Sequence, residues 1–513
     1  MRSRWNDADA AHLAAQSSNS PLATRAYTSR LLGAEKSLVL HGGGNTSIKL
    51  GDILFVKGSG RDLAQVRDED FAAVDLHAVR ALGQARQLDN DALRAALAGS
   101  AIRPGPGASI ETLMHALLPW PFVEHTHADA VLAVVDTRGG ERIAREVFGG
   151  LAPLVPFHPS GFALAKACDE AYRRHATSGT IGLVLLHHGV VAFGRDARES
   201  YENMLRLVTR AEDYLRARGA WNLPEEAWPF SWDATTIARL RADLCRAAGH
   251  PMLLSALDDP HWRAFARRPD LPALCEAGPA TPQHAVFLRA RALAGADVGS
   301  FVRDYAQAVH ATDPDIARNV PGFDPAPRLL VDAALGAWVA AVDPAHLAMA
   351  RDIARQDMEI KTRAAGHDRY AGLPVAENIH AEIQYGADER QLRVSGTSRM
   401  PLLGQVALIR AGRDGDGDGL ERICAEAGAA VSRADALTPF EAVRECVRRY
   451  GGVDLLVTDT ADGPLLDAAA DVLAAAPRGG RVVALDRAGS AHSFVEQCMA
   501  RGLRVERALQ VAA

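Results

Sequence analysis

Short apolar segments bounded by glycine alternate with helical patterns over residues 21–220. The pattern predicts helices over PLATRAYTSRLLGA and ESYENMLRLVTRAEDYLRARG, the second ending at Gly219. It predicts strands over SLVLHG and DILFVKG, because both segments are short, apolar and closed by glycine. Such alternation is typical of an α/β domain, which we expect over residues 1–220.

Two segments interrupt this alternation: residues 221–233 are rich in tryptophan and proline, and residues 268–282 are rich in proline. They indicate a domain boundary and a mostly helical or α+β connector over residues 221–399. From residue 400 the alternation returns, with predicted strands in MPLLGQVALIRAG, GGVDLLVTDTADG and PRGGRVVALDRAGS separated by alanine-rich helices. That order predicts a Rossmann-like parallel sheet over residues 400–513, so the fold class of the whole chain is α/β.

The charge balance of the chain limits its partners. The 513 residues carry 57 basic and 63 acidic side chains, a formal net charge of -6. This balance argues against nucleic acid or an anionic membrane as the main partner. The six cysteines form no C-x-x-C pair, which argues against a disulfide framework and a thiolate zinc site. The sequence shows neither a signal-peptide pattern nor a membrane-spanning run, so we expect a cytoplasmic protein.

The middle of the chain repeats a pattern found in the first domain. Residues 183–212 align without gaps over residues 330–359, and the alignment matches Gly189 with Gly336. Unrelated strand–glycine–strand–helix segments share the same rhythm. The sequence therefore leaves open whether the connector contains a degenerate copy of the first domain.

Two apolar segments that contain histidine are candidates for a metal site. In PFVEHTHADAVLAVVD, His125 and His127 are two apart, and side chains two apart in a strand point to one face about 7 Å apart. In IGLVLLHHGVVAFG, His187 and His188 end a second predicted strand, where one of them can face the same cavity. Three imidazoles with an open coordination position are typical of catalytic zinc. The alternative is a set of ordinary histidines, although unpaired imidazoles are costly among buried apolar residues.

A glutamate and two glycine-rich loops could complete such a site. Glu111 lies near the start of a predicted helix in GPGASIETLMHALLP, which Ser109 can cap. A glutamate in a first turn often only stabilises the helix dipole, but beside a metal it could accept a proton from carbon. The loops HGGGNTSIKL and FVKGSGRDL, which contain Asn45, Lys57 and Ser59, could be hairpin turns or an anion-binding nest.

Taken together, these motifs resemble the class II aldolase/adducin family, of the fuculose- and rhamnulose-phosphate aldolase type. The resemblance rests on G-G-N-T-S, K-G-S-G, S-I-E-T-x-x-H, H-T-H-A-D-A and L-x-x-H-G, in this order and spacing. The complete layout resembles the bifunctional rhamnulose-1-phosphate aldolase/short-chain dehydrogenase proteins, with the connector as a possible degenerate aldolase-like repeat. The resemblance also implies a homo-oligomer.

The resemblance implies a role for each matching residue. It implies Zn²⁺, or another divalent metal, bound by His125, His127 and His188, with Glu111 as the catalytic acid/base. It implies that the substrate's phosphate and carbonyl are held by a further set of residues: Gly44, Asn45, Ser59, Gly60 and Ser109. Lys57 could add a positive charge to that set. Ile110 replaces a second serine of the family's phosphate site.

The activity implied is reversible cleavage of a phosphorylated sugar, a ketose 1-phosphate, to dihydroxyacetone phosphate and an aldehyde. Aldolases can instead use a lysine Schiff base, but the chain has five lysines and none lies in an apolar segment expected to lower its pKa. Three other functions stay open. They are a sugar-phosphate epimerase on the same site, a non-catalytic adducin-like scaffold, and a bifunctional enzyme that also oxidises an aldehyde with NAD.

The C-terminal part resembles a short-chain dehydrogenase that lacks its functional residues. In VALIRAGRDGDGDGLERIC, Arg410 and Ala411 stand where that family has Thr and Gly, and three aspartates would repel a pyrophosphate. No lysine follows Lys361 and no tyrosine follows Tyr450, so the Tyr-x-x-x-Lys pair is missing. We therefore expect that dehydrogenase activity is lost and NAD is not used. The acidic loop opens like a calcium-binding loop, but Ala425 replaces the glutamate that would complete it.

Overall fold

The computed structural model describes residues 1–17, 20–396, 400–411, 417–458, 462–484 and 504–507. They divide into two compact units. The first unit is built from residues 1–223 and 356–373, and the second from the described parts of residues 224–355 and 374–513. The three domains expected over residues 1–220, 221–399 and 400–513 stay a prediction. Among the described residues, no helix is long and apolar enough to cross a membrane.

The first unit contains one mixed sheet and the helices around it. Its strands are β1 (Asn45–Leu50), β2 (Ile53–Lys57), β3 (Phe71–Asp75), β4 (Phe122–Thr126), β5 (Leu154–Val155), β6 (Gly182–Leu185) and β7 (Gly189–Gly194). Its helices are α1 (Asp7–Gln16), α2 (Ser20–Gly33), α3 (Leu76–Leu82), α4 (Asn90–Gly99), α5 (Thr112–Leu117), α6 (Asp129–Val135), α7 (Gly140–Phe148), α8 (Phe162–His175) and α9 (Ala197–Ala217).

The seven strands of this unit form a sheet in the order β3-β2-β1-β4-β7-β6-β5. All neighbouring strands are antiparallel except β5 and β6, which are parallel. The central strand, β4, is buried at all five positions. Its end is therefore shielded from bulk water, a setting in which polar groups interact strongly.

One predicted strand is absent from this sheet. The segment SLVLHG, residues 37–42, is irregular, whereas DILFVKG contains β2 as predicted. Leu38, Val39 and Leu40 are all buried. Three consecutive buried side chains do not fit a strand with one exposed face, because strand side chains alternate between faces. The apolar run therefore fills the core as a loop.

The second unit contains two separate sheets. Its strands are β8 (Leu253–Leu257), β9 (Leu293–Ala294), β10 (Leu329–Asp332), β11 (Gly336–Ala341), β12 (Val406–Arg410), β13 (Ala430–Arg433), β14 (Leu455–Thr458), β15 (Arg481–Ala484) and β16 (Arg504–Arg507). The helices that follow α9 are α10 (Ala234–Ala248), α11 (Pro260–Ala266), α12 (Leu271–Glu276), α13 (Pro282–Leu288), α14 (Val298–Thr312), α15 (Ile316–Asn319), α16 (Pro344–Ala365), α17 (Val375–Tyr385), α18 (Ala387–Gly396), α19 (Gly417–Glu426), α20 (Pro439–Tyr450) and α21 (Gly463–Ala474). The chain passes between the units after residues 223, 355 and 373, and the second of these points falls within α16.

The sheet β8-β11-β10-β9 repeats the arrangement β4-β7-β6-β5 of the first unit. In both, the first three strands are antiparallel and the last pair is parallel. The ungapped sequence alignment superimposes β6 on β10, β7 on β11, and the start of α9 on the start of α16. Both hairpins also close with the same register, Leu185 opposite Gly189 and Asp332 opposite Gly336. A duplicated strand–turn–strand–helix segment would produce this correspondence.

The C-terminal part folds into a parallel sheet, as the sequence indicated. Strands β12 to β16 are all parallel, in the order β13-β12-β14-β15-β16. The α/β class and the parallel sheet are confirmed, whereas a dinucleotide-type Rossmann domain stays a prediction. The aspartate-rich loop at residues 412–416 and the segment 459–461, which stands in place of the family's N-N-A-G, lie outside the described residues.

Candidate metal centre and its acid/base residue

Three buried histidines meet at the end of the central strand of the first unit. His125 lies in β4, His127 follows the end of that strand, and His188 lies in the turn between β6 and β7. The Nε2 atoms of His125 and His127 are 3.1 Å apart. The ligand nitrogens of all three lie within 4.8 Å of one another, so the group could hold a metal ion. The convergence expected of these imidazoles is thus seen in the structure.

Strand pairing fixes the position of the first two histidines. β4 runs between β1 and β7, so that His125 lies opposite Asn45 on one side and Val191 on the other. The sequence pattern placed His125 and His127 in one strand, and this is wrong in detail because β4 ends at Thr126. The turn from β4 into α6 brings the His127 ring back to His125, with ring centroids 5.0 Å apart.

The tight turn between β6 and β7 decides whether His187 or His188 faces His125 and His127. A Cβ on Gly189 would lie 2.2 Å from the carbonyl oxygen of Thr126, so only glycine lets β7 approach β4 this closely. His188 is buried and its ring centroid lies 4.9 Å from that of His125. His187 instead places Nδ1 3.0 Å from Asp136 Oδ1. Burial would lower the pKa of His187, but the Asp136 carboxylate raises it above its ordinary value.

The chemistry of these side chains fits a divalent metal. His125 Nδ1 donates to the carbonyl oxygen of Val190 at 3.1 Å, which leaves the lone pair of Nε2 for a ligand. Burial lowers the pKa of His125 to about 4, so its imidazole is neutral at neutral pH, as a metal ligand must be. Two nitrogens bound to tetrahedral Zn²⁺ are about 3.3 Å apart, close to the separation seen between His125 and His127.

The Glu111 carboxylate lies against this cluster. Its Oε1 is 3.3 Å from His188 Nε2 and its Oε2 is 3.7 Å from His125 Nε2. Ser160 Oγ donates to Oε1 at 3.0 Å. Burial would raise the pKa of Glu111, but His125, His188 and a hydrogen bond from Asn45 hold it well below its ordinary value. A buried carboxylate in this setting is ionised and can accept a proton from a group held beside the histidines.

A chain of buried hydrogen bonds orients the Glu111 carboxylate. Asn45 Nδ2 donates to Glu111 Oε2 at 2.6 Å, and the Asn45 Oδ1 contacts His115 Nε2. On its other side, His115 Nδ1 lies 2.7 Å from Ser47 Oγ. Burial, with the charge of Lys49, lowers the pKa of His115 to about 3, and a neutral imidazole has one donor and one acceptor. His115 therefore donates to the amide oxygen of Asn45, which turns the amide NH₂ towards Glu111.

The position of Ser109 differs from the helix cap expected of it. Helix α5 begins at Thr112, and the residue before it, Glu111, has no side-chain capping bond. Ser109 Oγ accepts from the Glu111 N–H at 3.3 Å. The hydroxyl thus shapes the turn that carries Glu111 instead of satisfying the first turn of the helix.

The two glycine-rich loops lie side by side. Gly44 has φ +59°, and a Cβ there would be 2.7 Å from the carbonyl oxygen of His125, so the loop can pass the histidine cluster only with glycine. Gly42 is close to Gly60, since a Cβ on Gly42 would be 3.5 Å from the Gly60 Cα. Ser59 is exposed and its N–H donates to the Gly107 carbonyl at 2.9 Å. The predicted phosphate-binding residues are thereby gathered around the glycine loops, with their role still a prediction.

Lys57 joins the two loops to each other. Its ammonium donates to the carbonyl oxygens of Gly42 and Arg61, at 2.8 Å each. Burial lowers its pKa to about 8, and burial likewise lowers the pKa of Lys49 to about 7. The expectation that no lysine has a lowered pKa is therefore wrong. Backbone carbonyls hold the ammonium group of each lysine, since Lys49 also donates to two of them, at Leu118 and Trp120.

Sequence patterns missed three partners of the site. Ser160 donates to Glu111, Asp136 pairs with His187, and His115 orients Asn45. Ser160 lies in a loop without a recognisable pattern, and Asp136 follows the end of an apolar helix. His115 was visible as the last residue of S-I-E-T-x-x-H, but its contacts from α5 to Asn45 and Ser47 of β1 are a tertiary property.

Comparison with known families identifies two domains. Residues 23–215 match the family described as Class II Aldolase and Adducin N-terminal domain, and residues 232–387 match Aldolase class II, second domain. The chain contains the two class II aldolase domains. The predicted resemblance to this family is confirmed, while resemblance to the bifunctional dehydrogenase proteins stays a prediction.

Individual relatives share part of this chain. The uncharacterized oxidoreductase YuxG of Bacillus subtilis (strain 168) is 25% identical over 504 residues, covering 84% of this chain and 71% of the relative. The N-terminal class II aldolase domain of a conserved protein from Thermoplasma acidophilum is 31% identical, covering 42% of this chain and 100% of its own, with a TM-score of 0.38. The l-fuculose-1-phosphate aldolase from Thermus thermophilus is 21% identical, covering 38% of this chain and 93% of its own, with a TM-score of 0.27.

The second class II aldolase domain lacks the three histidines of the first. Thr126 lies opposite Val190 in the first domain, and Leu257 lies opposite Ala337 in the second, so the two strand pairs can be matched residue by residue. The positions of His125, His127 and His188 are then occupied by Ala256, Asp258 and Leu335. The second domain repeats the strand framework without the three histidines.

Proposed function

We propose that the first class II aldolase domain catalyses metal-dependent retro-aldol cleavage of a ketose 1-phosphate of the rhamnulose or fuculose type. The products are dihydroxyacetone phosphate and an aldehyde. The observation that carries the proposal is the contact between an ionised buried carboxylate and a metal-binding group, with Glu111 Oε1 3.3 Å from His188 Nε2. Cleavage of a carbon–carbon bond beside a carbonyl needs both charge stabilisation and proton transfer, and this pair of groups can supply them.

The proposed metal is Zn²⁺, held by His125, His127 and His188. When bound, it supplies Lewis-acid stabilisation of the negative charge that develops on the carbonyl oxygen during cleavage. Burial of the three imidazoles strengthens this stabilisation, because water competes little inside the domain.

Glu111 is proposed to exchange a proton with the carbon next to the carbonyl. In the cleavage direction the bond between C3 and C4 breaks, and its electron pair stays on the C3 side as an enediolate. The Glu111 carboxylate takes the proton that the C4 hydroxyl loses as C4 becomes the aldehyde carbon, and then passes that proton to C3. Asn45 and Ser160 hold the Glu111 carboxylate in place through this exchange, at 2.6 and 3.0 Å.

The phosphate of the substrate is proposed to bind at the glycine loops. The set consists of Gly44, Asn45, Lys57, Ser59, Gly60 and Ser109. Support comes from the closeness of the Gly42 and Gly60 loops and from Lys57, whose ammonium lies between them. Backbone N–H groups in glycine-rich turns, together with a fixed cation, favour a phosphate.

The remaining parts of the proposal concern the chain as a whole. We place the enzyme in the cytoplasm as a homo-oligomer, with no role for NAD. The C-terminal parallel sheet is proposed to have lost dehydrogenase activity, because the sequence lacks the Tyr-x-x-x-Lys pair. Nicotinamide binding by the full chain would contradict this part and would revive a bifunctional enzyme.

A panel of ketose 1-phosphates, assayed with and without a metal chelator, tests the proposed reaction. We expect release of dihydroxyacetone phosphate from at least one of them, loss of that release with chelator, and recovery after Zn²⁺ is restored. Conversion of the sugar without release of any fragment would identify an epimerase instead. Full metal loading with no turnover of any kind would favour a non-catalytic scaffold.

Replacing His115 with phenylalanine is expected to lower kcat about tenfold with little change in KM, because the Asn45 amide loses the donor that fixes it. Glutamine at the same position keeps one donor and one acceptor, so His115→Gln is expected to lose less. Steady-state kinetics and metal content of both variants check this expectation. Equal losses in the two variants would mean that His115 acts only through packing.

A further inference from the structure

Residues 356–373, which we call the return segment, belong to the first compact unit although they lie far along the chain. They fall inside the match to the second class II aldolase domain, residues 232–387. The segment consists of the C-terminal part of α16 and the residues that follow it. It is therefore a part of the second domain's sequence that packs with the domain carrying the metal centre.

The return segment pairs with the chain just after helix α6. Residues 368–371 run antiparallel to residues 136–139, with a bridge between Thr137 and Tyr370. The hydrogen bonds join Ala371 N to Asp136 O (2.9 Å), Arg138 N to Arg369 O (2.9 Å) and Gly139 N to Asp368 Oδ2 (2.7 Å). Four consecutive residues after α6 are thus fixed by a segment more than two hundred residues away in sequence.

The return segment also contacts the start of α6. Gln356 Nε2 donates to Asp129 Oδ1 at 2.6 Å, and both side chains are buried. Asp129 is the first residue of α6 and comes two residues after His127. A single helix therefore connects one metal-binding residue to Asp136, and the return segment holds both of its ends.

Buried side chains fix the internal structure of the return segment. Lys361 pairs with Asp357 at 2.9 Å, and both are nearly inaccessible to solvent. The Lys361 ammonium also lies 5.5 Å from the centre of the Tyr370 ring, a cation–π contact. Because a buried charge needs a partner, these contacts favour one arrangement of Tyr370 against the end of α16.

Asp136 connects this arrangement to the turn that carries His188. Its side chain is fully buried and lies 3.0 Å from His187 Nδ1. His187 has φ +58°, a left-handed conformation that costs a residue other than glycine about 1–3 kcal/mol and persists only where its surroundings fix it. The ion pair with Asp136 is such a contact, and the next residue along the chain is His188.

We propose that the return segment positions His188 through Asp136 and His187, so that the second class II aldolase domain sets the affinity of the metal centre in the first. The inference rests on the metal site of the proposed function. Neither Asp136 nor the return segment contacts the three histidine ligands directly in the hydrogen bonds described above. They are positioning residues, and they explain why this part of the second domain packs with the first.

Metal affinity of four variants of the full chain tests the proposal. Asp136→Ala, His187→Leu and Tyr370→Ala are each expected to raise the Kd for Zn²⁺ about tenfold, the lower end of the effect of removing partners that orient metal ligands. His187→Asn is expected to stay near the wild-type Kd, since asparagine tolerates a left-handed backbone and can still bond to Asp136. Competition with a chromophoric chelator gives the Kd values.

A matched control separates positioning from general loss of stability. Asp454→Asn weakens a buried ion pair with Arg241 in the other compact unit, 2.7 Å in length, and is expected to leave the Kd for Zn²⁺ unchanged. If it raises the Kd as much as Tyr370→Ala does, the effect is one of stability and the proposal is overturned. Wild-type Kd values in all of the first three variants would overturn it as well.

Amide hydrogen exchange in the metal-free protein tests the same idea without a metal. Exchange over residues 185–190 is expected to be about tenfold faster in Asp136→Ala and Tyr370→Ala than in wild type, and unchanged in Asp454→Asn. Unchanged exchange in all variants would overturn the proposal. A wild-type chain that binds no metal, but shows this pattern of exchange, would contradict the proposed function and leave the positioning role standing.

Discussion

Glu111→Gln is expected to lower kcat for sugar-phosphate cleavage about 10²–10⁴-fold while the chain keeps its metal. Glutamine has the size of glutamate, and its carbonyl oxygen can still accept the hydrogen bond from Asn45 Nδ2, which is 2.6 Å long in the wild type. It cannot accept or return a proton at carbon. Steady-state kinetics on the cleaved ketose 1-phosphate, with metal analysis of the same sample, give both quantities.

A graded variant shows whether the loss reflects proton transfer. Ser160→Ala removes the hydroxyl that donates to Glu111 Oε1 at 3.0 Å but leaves the carboxylate, so a loss of about tenfold or less is expected. A kcat within a few-fold of wild type in Glu111→Gln would assign the proton transfer to another group. Loss of the metal from Glu111→Gln would make Glu111 a metal ligand in the resting enzyme.

The residues that sequence analysis found share one property, which is a strong local pattern. His125 and His127 stand out because an H-x-H pair interrupts an apolar run. The parallel C-terminal sheet was predictable because β-branched strands alternate with helices, a signal contained within short windows. The hairpin of β6 and β7 was visible for the same reason.

The features that sequence analysis missed depend on contacts between distant residues. The local pattern left His187 and His188 undecided, and only the family resemblance chose His188. In the structure the choice is made by the tight turn at Gly189, whose close approach to Thr126 exists only in the folded sheet. Asn45 reaches Glu111 because β1 pairs with β4, and no periodic pattern encodes that register. The apolar residues of the segment 37–42 predicted a strand, but the segment is irregular. These residues are apolar because they are buried in the core, and not because their backbone pairs with another strand.

The metal centre provides the second large expected effect. His188→Ala is expected to abolish metal-dependent stabilisation of the first unit together with turnover, because it removes one of three buried ligands. At a metal concentration a thousand times the Kd, binding stabilises the native state by about 4 kcal/mol. For a unit of this size that corresponds to an increase in Tm of about 8–16 °C in the wild type. Thermal unfolding with Zn²⁺ and with chelator measures this difference in Tm. We expect no such difference in His188→Ala.

His77→Ala is the matched control for that substitution. The His77 side chain is 70% exposed and pairs with an exposed carboxylate on Asp52, so its removal should leave both the metal content and the increase in Tm unchanged. Retention of the full increase by His188→Ala would place the metal elsewhere and contradict the three-histidine site. Loss of the increase in both variants would point to an effect of histidine removal in general. Loss in His188→Ala alone ties the stabilisation to the buried cluster, because the two substitutions delete the same side chain and differ only in where it lies.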